Sequence, residues 1–397
     1  MIAAINARIS SMSRELKIFV LVSFVLSVSY SLVDSTFNNY LNERFQLTGF
    51  QRSFLELPRE FPGVMVIFVS AMVWFLCSRR LGAWSLILAA FGTFMMGFVS
   101  PTYGILIIWL FIYSLGSHLY MPVASTIGMD LASVGRTAQR LGQLNAVRNL
   151  ATITGSFLVF IGFGYLNFTF SHTFALGTFG LLLAAGLMFM MKPKPSSKPR
   201  LYLKLHKEYS LFYVLAILFG SRKQLFITFA PWVIVTVFNQ PTQTLATLLT
   251  IGGVIGIVFQ PFLGWAIDKY GERIVLVAEA VITVFLCLGY GFGKEVLPEN
   301  TAFLVVCGLY ILDQMLMSVG MARSTYIKKI ALQPEDVQPA LTASITLDHI
   351  FTIVIALIGG VIWNTFGFQY VFLMGAFIAV INVFAASQVK ISSNAAV

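Results

Sequence analysis

Charged side chains inside long apolar stretches are the residues of this chain that could do chemistry. Arg222 and Lys223 are adjacent in one such stretch, and Asp313 and Asp348 each lie in another. An ionisable group is costly in hydrocarbon unless it is paired or hydrated, so each of these is a candidate functional residue. Adjacent helical side chains point about 100° apart, so one structural partner rarely satisfies both cations. A solute carboxylate or phosphate would satisfy Arg222 well, through two parallel hydrogen bonds.

A second group of charges lies in an apolar stretch that contains two prolines, Pro58 and Pro62. Glu56 and Glu60 share a helical face, and Arg59 is a neighbour of Glu56 on the same helix. Each proline removes a backbone hydrogen-bond donor, which favours a kink in the helix. We therefore predict that this stretch is a moving element.

Four carboxylates in the apolar stretches are predicted to carry a proton, because burial and a nearby arginine change the proton affinity of an acid in opposite directions. They are Asp34, Glu56, Glu60 and Asp313. His118 and His349 also exchange protons near neutral pH. The alternative is structural, because acids and bases in these stretches nearly balance and can form ion pairs. Arg148 and Asp348 are the best candidates for such pairs.

The composition requires a membrane around these charges. Apolar residues make up 58% of the 397-residue chain and charged residues 11%, which are too few to cover a soluble particle of this size. A mostly apolar stretch of about 18 residues or more is long enough to cross the hydrocarbon core as a helix. The predicted fold is an all-α membrane protein with twelve transmembrane helices. The predicted spans are 17–41, 52–77, 83–99, 103–129, 141–166, 169–191, 210–237, 243–267, 273–293, 300–322, 339–363 and 368–389.

The distribution of positive charge predicts the topology. The chain has a formal net charge of +10, and most of its 26 Lys and Arg residues lie between spans, on the side of the N-terminus. An excess of Lys and Arg marks the cytoplasmic side, so both termini are predicted to be cytoplasmic. Arg44, Arg52 and Lys294 are predicted to lie outside, on the other side. We therefore expect a multi-pass protein of the cell inner membrane, whose charge orients it and does not bind nucleic acid.

A basic, proline-rich segment, 192–208, divides the spans into six and six. Its composition predicts a solvated cytoplasmic linker between two six-helix halves, 1–191 and 209–397. A weak internal repeat supports this division, because at an offset of 200 residues the segment around Arg148 aligns with the segment around Asp348. The two halves are therefore predicted to be pseudo-symmetric.

The loop after the eighth predicted span reads Gly-Trp-Ala-Ile-Asp-Lys-Tyr-Gly-Glu-Arg. It resembles the loop motif G-x-x-x-D-[RK]-x-G-x-[RK] of the major facilitator superfamily, which joins the second and third spans of a six-helix half. The matching residues are Gly264, Asp268, Lys269, Gly271 and Arg273. Two glycines allow a tight turn between helices. The corresponding loop of the first half has Arg79 where the aspartate would be, so the gate is assigned to Asp268.

This resemblance implies a secondary transporter whose two halves rock around a site at the membrane midplane. In the superfamily, spans 1, 4, 7 and 10 line the central cavity. The residues assigned to substrate binding are Asp34, Asn38, Tyr113, His118, Arg222, Lys223, Asp313 and Gln314. Those assigned to gates or ion pairs are Arg59, Arg148, Asp348, His349, Gly264, Asp268, Gly271 and Arg273. The expected partners are a small-molecule substrate, protons and membrane lipid, and the resemblance implies a monomer.

The leading hypothesis is proton-coupled transport of a small organic anion or zwitterion. A drug:proton efflux antiporter is the alternative within transport, although the fifth span lacks the Gly-Pro signature of such antiporters. A membrane sensor that binds ligand without transport is the alternative from another class. An enzyme is not expected, because G-x-S-x-G and H-E-x-x-H are absent. The loop G-x-x-x-x-G-K-[ST] is absent and the histidines lack metal-ligand spacing, so no ATP-driven step, cofactor or metal is expected.

Overall fold

The computed structural model describes residues 12–73, 75–133, 137–193, 206–333 and 336–390, and every regular element in these ranges is a helix. The α-helices of these ranges, numbered in chain order, are α1 (Arg14–Phe45), α2 (Gly49–Phe54), α3 (Glu56–Met72), α4 (Ser78–Phe98), α5 (Tyr103–Asp130), α6 (Thr137–Tyr165), α7 (Phe170–Phe189), α8 (Ser210–Thr236), α9 (Thr242–Val296), α10 (Glu299–Leu316), α11 (Gly320–Ile330), α12 (Val337–Phe366) and α13 (Phe368–Ser387). Short 3-10 turns precede α8 and α11.

Ten helical segments of the described ranges are long and apolar enough to cross a membrane, judged by length and composition. The prediction of an all-helical, multi-pass membrane protein is therefore confirmed at this level. The twelve crossings and the cytoplasmic termini stay a prediction. Two local features, in α9 and in the second predicted span, account for the difference in number.

The helix α9 contains both the eighth and the ninth predicted span and is 55 residues long. Two helices are joined in it across a kink at Gly271, whose φ is 82° and ψ is 161°. A positive φ costs glycine little, whereas a residue with a Cβ rarely adopts it. The glycine of the loop motif therefore makes the predicted turn without ending the helical element.

The second predicted span is divided at Leu55, between α2 and α3. Pro58 lies in the first turn of α3, where its missing N–H is tolerated, but it cannot donate to the carbonyl four residues earlier. The chain therefore breaks its helix just before Pro58, while Pro62 lies inside α3. The break leaves α3 with 17 residues, too short to count among the ten segments.

The chain forms two compact units. The N-unit consists of Met1–Tyr40 and Met65–Arg200, and the C-unit consists of Leu41–Val64 and Leu201–Val397. The end of α1, all of α2 and the start of α3 thus belong to the C-unit. Residues 194–205 of the predicted linker lie outside the described ranges, so the boundaries at 192–208 stay a prediction.

The N-unit joins its helices through small residues and hydroxyl groups. A Cβ on Gly92 would overlap the backbone of Tyr113, so α4 and α5 are in direct backbone contact there. On α1, Ser31 Oγ lies 2.9 Å from Ser156 Oγ of α6 and donates to the carbonyl of Thr152 at 2.7 Å. Small residues and interhelical hydroxyl bonds let membrane helices approach closely.

The C-unit has a larger apolar core with an aromatic centre. The rings of Phe226, Tyr290 and Phe372 come from α8, α9 and α13, and their centroids lie 4.9 to 5.7 Å apart. These distances are typical of favourable aromatic pairs. The helix α2 packs against α12, where the N–H of Phe50 donates to Asn364 Oδ1 at 3.1 Å. This core packs around α8, which carries both cations singled out by the sequence.

Candidate substrate and coupling site

Arg222 is a buried cation placed between two buried carboxylates of the C-unit. Its side chain projects from α8 and the residue is 2% exposed. Its Nη2 lies 2.8 Å from Asp313 Oδ1 on α10, and its Nε lies 3.6 Å from Glu279 Oε1 on α9. Neither contact has the alignment of a hydrogen bond. Three helices of the C-unit are therefore linked by charge attraction at this point.

Glu279 is the residue of this cluster that the sequence analysis leaves out. It lies in the ninth predicted span and is 2% exposed. Asn382 Nδ2 donates to its Oε2 at 3.4 Å, and Thr283 Oγ1 lies 3.4 Å from its Oε1. A charge inside an apolar stretch is the signal that identified Asp313, and the same signal identifies Glu279.

Lys223 has its own partner on a different helix. Its Nζ donates to Asp348 Oδ2 of α12 at 2.6 Å, and the two side chains are 26% and 22% exposed. Gly220, one turn earlier on α8, makes room for this carboxylate, because a Cβ there would overlap Asp348 Oδ1. The two adjacent cations predicted to bind a solute are thus each paired with a protein carboxylate, one pair buried and one partly exposed.

The acids of the second predicted span also have partners within the C-unit. Glu56 is fully buried and accepts a hydrogen bond from Arg52 Nη1 at 2.7 Å. Arg52 is 1% exposed, and its predicted position on the outer side of the membrane stays a prediction. Glu60 Oε2 lies 2.7 Å from His349 Nδ1, which connects α3 to α12. Arg59, predicted beside Glu56, is half-buried on α3.

The predicted substrate-binding residues of the N-unit lie on two helices. Asp34 is exposed on α1, and Asn38, one turn further, is buried. On α5, His118 Nδ1 lies 3.0 Å from both Ser114 Oγ and the Ser114 carbonyl oxygen. Tyr113 is half-buried one turn before, and its ring meets the ring of a tyrosine on α1 edge-on. These side chains therefore contribute a carboxylate, an amide, a phenol hydroxyl and an imidazole.

Arg148 and Gln314 are the remaining predicted polar residues on spans. Arg148, half-buried on α6, donates from Nη1 to Asn145 Oδ1 of its own helix at 3.4 Å. Gln314 is half-buried on α10 beside Asp313 and faces Gly252 of α9, where an added Cβ would lie 3.6 Å from its Cβ. Gln314 therefore contacts a helix different from the one that supplies Arg222.

Arg79 stands where the superfamily motif would have an aspartate, and it is buried at the end of the N-unit. Its Nη1 lies 3.6 Å from Asp130 Oδ2 of α5, and its Nε lies 3.8 Å from Glu15 Oε2 of α1. The substitution reverses the charge at this position, and two acids from other helices compensate for it. The sequence shows the departure from the motif, but no role was predicted for Arg79.

The predicted gate residues lie around the kink of α9. Asp268 and Arg273 are exposed, and an added Cβ on Gly264 would meet no neighbouring atom. The Lys269 ammonium lies over the Trp265 ring, 4.7 Å from its centroid. The buried charge of this loop is Glu272, whose Oε1 lies 2.7 Å from Lys329 Nζ of α11.

Residues 211–390 match the family model of the Major Facilitator Superfamily. The structure is also similar over nearly its whole length to solved transporters. It resembles the nucleoside transporter NupG with a TM-score of 0.75 at 13% identity, covering 94% of this chain and 98% of that one. It resembles a D-xylose-proton symporter with a TM-score of 0.66 at 16% identity, covering 96% and 98%. No curated protein sequence matches this chain.

A third similar structure is the inward open conformation of the xylose transporter XylE from E. coli, with a TM-score of 0.68 at 12% identity, covering 95% and 96% of the two chains. At these identities the likeness establishes the fold alone. The family match and the fold together confirm the resemblance seen in the loop motif. The family match covers residues 211–390, a little under half of the chain, and together with the fold it indicates a secondary transporter and not an enzyme.

Proposed function

From this family match and this fold, we propose that the protein is a proton-coupled transporter of a small organic anion or zwitterion. It works by alternating access between two six-helix halves, 1–191 and 209–397, joined by a cytoplasmic linker at 192–208. The observation that carries the proposal is the buried Arg222, which faces two carboxylates, Asp313 and Glu279. One guanidinium can form its two parallel bonds with only one carboxylate at a time, so the other carboxylate is free to bind a proton.

Asp313 is proposed to bind and release the coupled proton, because its carboxylate contacts Arg222 in the interior of the C-unit. A carboxylate that loses its arginine in a low-dielectric environment becomes a good proton acceptor, and the return of the arginine expels the proton. Glu56, Glu60 and Asp34 are the other proposed proton carriers. The D-xylose-proton symporter with the same fold supports proton coupling as a property that this architecture can have.

The substrate is proposed to bind at Lys223. The ion pair of Lys223 with Asp348 is partly exposed, unlike the buried pair of Arg222, so a dissolved anion can reach it. A substrate carboxylate can replace Asp348 beside the ammonium at little electrostatic cost, since one carboxylate is exchanged for another. His118, Asn38, Tyr113, Asp34 and Gln314 would then bind the remaining polar groups of the solute.

The cytoplasmic gate is proposed to involve Asp268 and Arg273 around the kink at Gly271. A cell inner-membrane location, cytoplasmic termini, a working monomer and contact with lipid complete the proposal. Loss of Asp268 is expected to slow cycling while leaving equilibrium binding unchanged. A change in affinity alone would contradict the gate assignment.

The test is proton movement in proteoliposomes that carry a pH-sensitive dye. Pools of organic acids, amines, sugars, nucleosides and drugs are added outside in turn. Alkalinisation outside on addition of the acid pool supports proton symport of an organic anion. Proton release driven by the amine or drug pool favours an antiporter and overturns the anion assignment. Silence from every pool, in protein shown to be folded, overturns proton coupling for all of these solute classes.

A further inference from the structure

Glu279 has the environment of an acid that gains and loses a proton. Its two side-chain hydrogen-bond contacts, from Asn382 and Thr283, are both 3.4 Å long and both come from neutral groups, while the Nε of Arg222 lies 3.6 Å from its Oε1. Such contacts are long for hydrogen bonds to a charged carboxylate. The Asn382 Oδ1 is buried and accepts no hydrogen bond. A protonated Glu279 would have an O–H that such an acceptor could receive, whereas the ionised form has none.

The charged and titratable groups around Glu279 come from four helices of the C-unit. They are Arg222 on α8, Cys287 on α9, Asp313 on α10 and Arg323 on α11. The Arg323 guanidinium lies over the Phe219 ring at 3.4 Å from its centroid, and Arg222 lies 5.7 Å from the same centroid. The ring therefore holds both cations beside the acids without neutralising either of them.

The two acids differ in their distance from Arg222. The guanidinium is 2.8 Å from Asp313 and 3.6 Å from Glu279, and it makes an aligned hydrogen bond to neither. Arginine forms its strongest pair with a carboxylate through two parallel bonds, which it can make with only one acid at a time. The side chain thus lies between two acceptors and is not locked onto either of them.

We propose that Glu279 is a coupling carboxylate, and that Arg222 alternates between Asp313 and Glu279 during the transport cycle. The inference rests on the proposed proton coupling. In this structure Arg222 is closer to Asp313, so Glu279 is the acid that takes a proton from water. The proton binds a carboxylate oxygen to give the neutral acid, and Arg222 keeps its charge. When Arg222 moves to Glu279, the proton of Glu279 returns to water. Asp313, which has then lost its arginine, takes up a proton from water in its turn.

The test is infrared spectroscopy of the full-length protein in lipid, with no substrate added. A pH titration is expected to show the carbonyl stretch of a protonated carboxylic acid. Glu279→Gln should lose part of this signal, and Glu279→Asp, which keeps a carboxylate, should retain it. The matched control is Glu272→Gln, another fully buried glutamate of the same helix, whose partner is Lys329. This control should leave the carboxylic acid signal unchanged.

If Glu279 is only structural, the carboxylic acid signal of Glu279→Gln will change with pH as it does in the natural protein. That result would overturn the inference. Thermal melts of each variant show that the protein is folded. In the dye assay, Glu279→Gln should lose the proton signal for the pool that gives one, while exchange of that pool persists. If no pool responds, proton coupling fails, but the infrared result still decides whether Glu279 takes up a proton.

Discussion

The interior of the N-unit is joined mainly by hydroxyl groups, whereas the interior of the C-unit contains full charges. In the described part of the N-unit, Arg79 is the one charged residue that is buried. The described C-unit buries Arg52, Glu56, Arg222, Glu272, Glu279, Asp313 and Arg323. Both units are helical and of comparable size, so the fold alone does not require this difference.

The difference assigns different tasks to the two units. Hydroxyl groups between membrane helices contribute little energy each and do not change charge near neutral pH, so they suit packing. Buried charges are costly to maintain and respond to protons and ionic solutes, so a chain that keeps them has a use for them. We therefore expect the coupling chemistry to reside in the C-unit, and the next four variants test that division.

The largest effect is expected from Arg222→Gln. The change leaves two buried carboxylates, Asp313 and Glu279, without their cation, and breaking a buried ion pair from one side costs about 3–5 kcal/mol. The free energy of unfolding, measured by detergent denaturation in mixed micelles, should fall by this amount. Arg222→Lys keeps the charge and should recover part of the loss.

The sequence alone predicts a different role for Arg222, which is to bind the substrate. If this arginine mainly awaits a solute carboxylate, its removal should abolish protection by the solute but leave the stability of the empty protein unchanged. Equal unfolding free energies for Arg222→Gln and the natural protein would therefore support that role. Equal values would also mean that the buried charges of the C-unit contribute no more to stability than the hydroxyl groups of the N-unit.

A smaller effect is expected from overpacking the N-unit at Gly155→Ala. The new Cβ on α6 would lie 2.6 Å from the Cβ of Ser31 and 2.8 Å from the carbonyl oxygen of Val28. Forcing helices apart at such a contact costs about 1–3 kcal/mol. Gly164→Ala on the same helix is the control, since its Cβ would meet no neighbour. A glycine-to-alanine change in a helix should then stabilise by about 0.5–1 kcal/mol.

Asp348→Asn is expected to cost about 1 kcal/mol, because its pair with Lys223 is partly exposed and water replaces much of the lost attraction. The same detergent titration measures it, with Arg222→Gln as the reference. A loss as large as that of Arg222→Gln would mean that Lys223 is inaccessible to solvent. The proposed exchange of Asp348 for a solute carboxylate would then fail.

The sequence predicts more of this fold than of the candidate site. Apolar length predicted the helices, and the motif around Gly271 predicted the turn that the positive φ now explains. The division at Leu55 was displaced from the expected kink because Pro58 acts on the residues before it. The number of membrane crossings does not follow from the number of helices, because the eighth and ninth predicted spans form the single helical element α9.

The partners of the charges were beyond the sequence, because they come from helices far apart in the chain. Arg222 on α8 lies near Asp313 of α10 and Glu279 of α9. The partner of Glu56 is different, because Arg52 is only four residues earlier and lies on the same helical face. Hydropathy indicates that a charge is in the membrane but not which face of its helix carries it. Glu279 is the exception, because its position inside an apolar stretch can be seen in the sequence.

The smallest effect is expected from Ser156→Ala in the N-unit. Ser156 Oγ lies 2.9 Å from Ser31 Oγ and 3.3 Å from Ser35 Oγ, so the change removes a hydroxyl bridge between α6 and α1. Ser31 keeps its bond to the carbonyl of Thr152, so little is left unsatisfied. The average cost of such a bond between membrane helices is about 0.6 kcal/mol.

The control for this variant is Ser125→Ala, an exposed serine on α5 that bonds only within its own helix in the described structure. Its unfolding free energy should match that of the natural protein. The two units are compared through the losses of unfolding free energy in Ser156→Ala and Arg222→Gln. Both losses are measured in the same micelles, so their ratio can be used without relying on either absolute value. If the hydroxyl variant costs as much as the arginine variant, the N-unit is held by its polar groups as strongly as the C-unit. Buried charge would then be no guide to where coupling occurs.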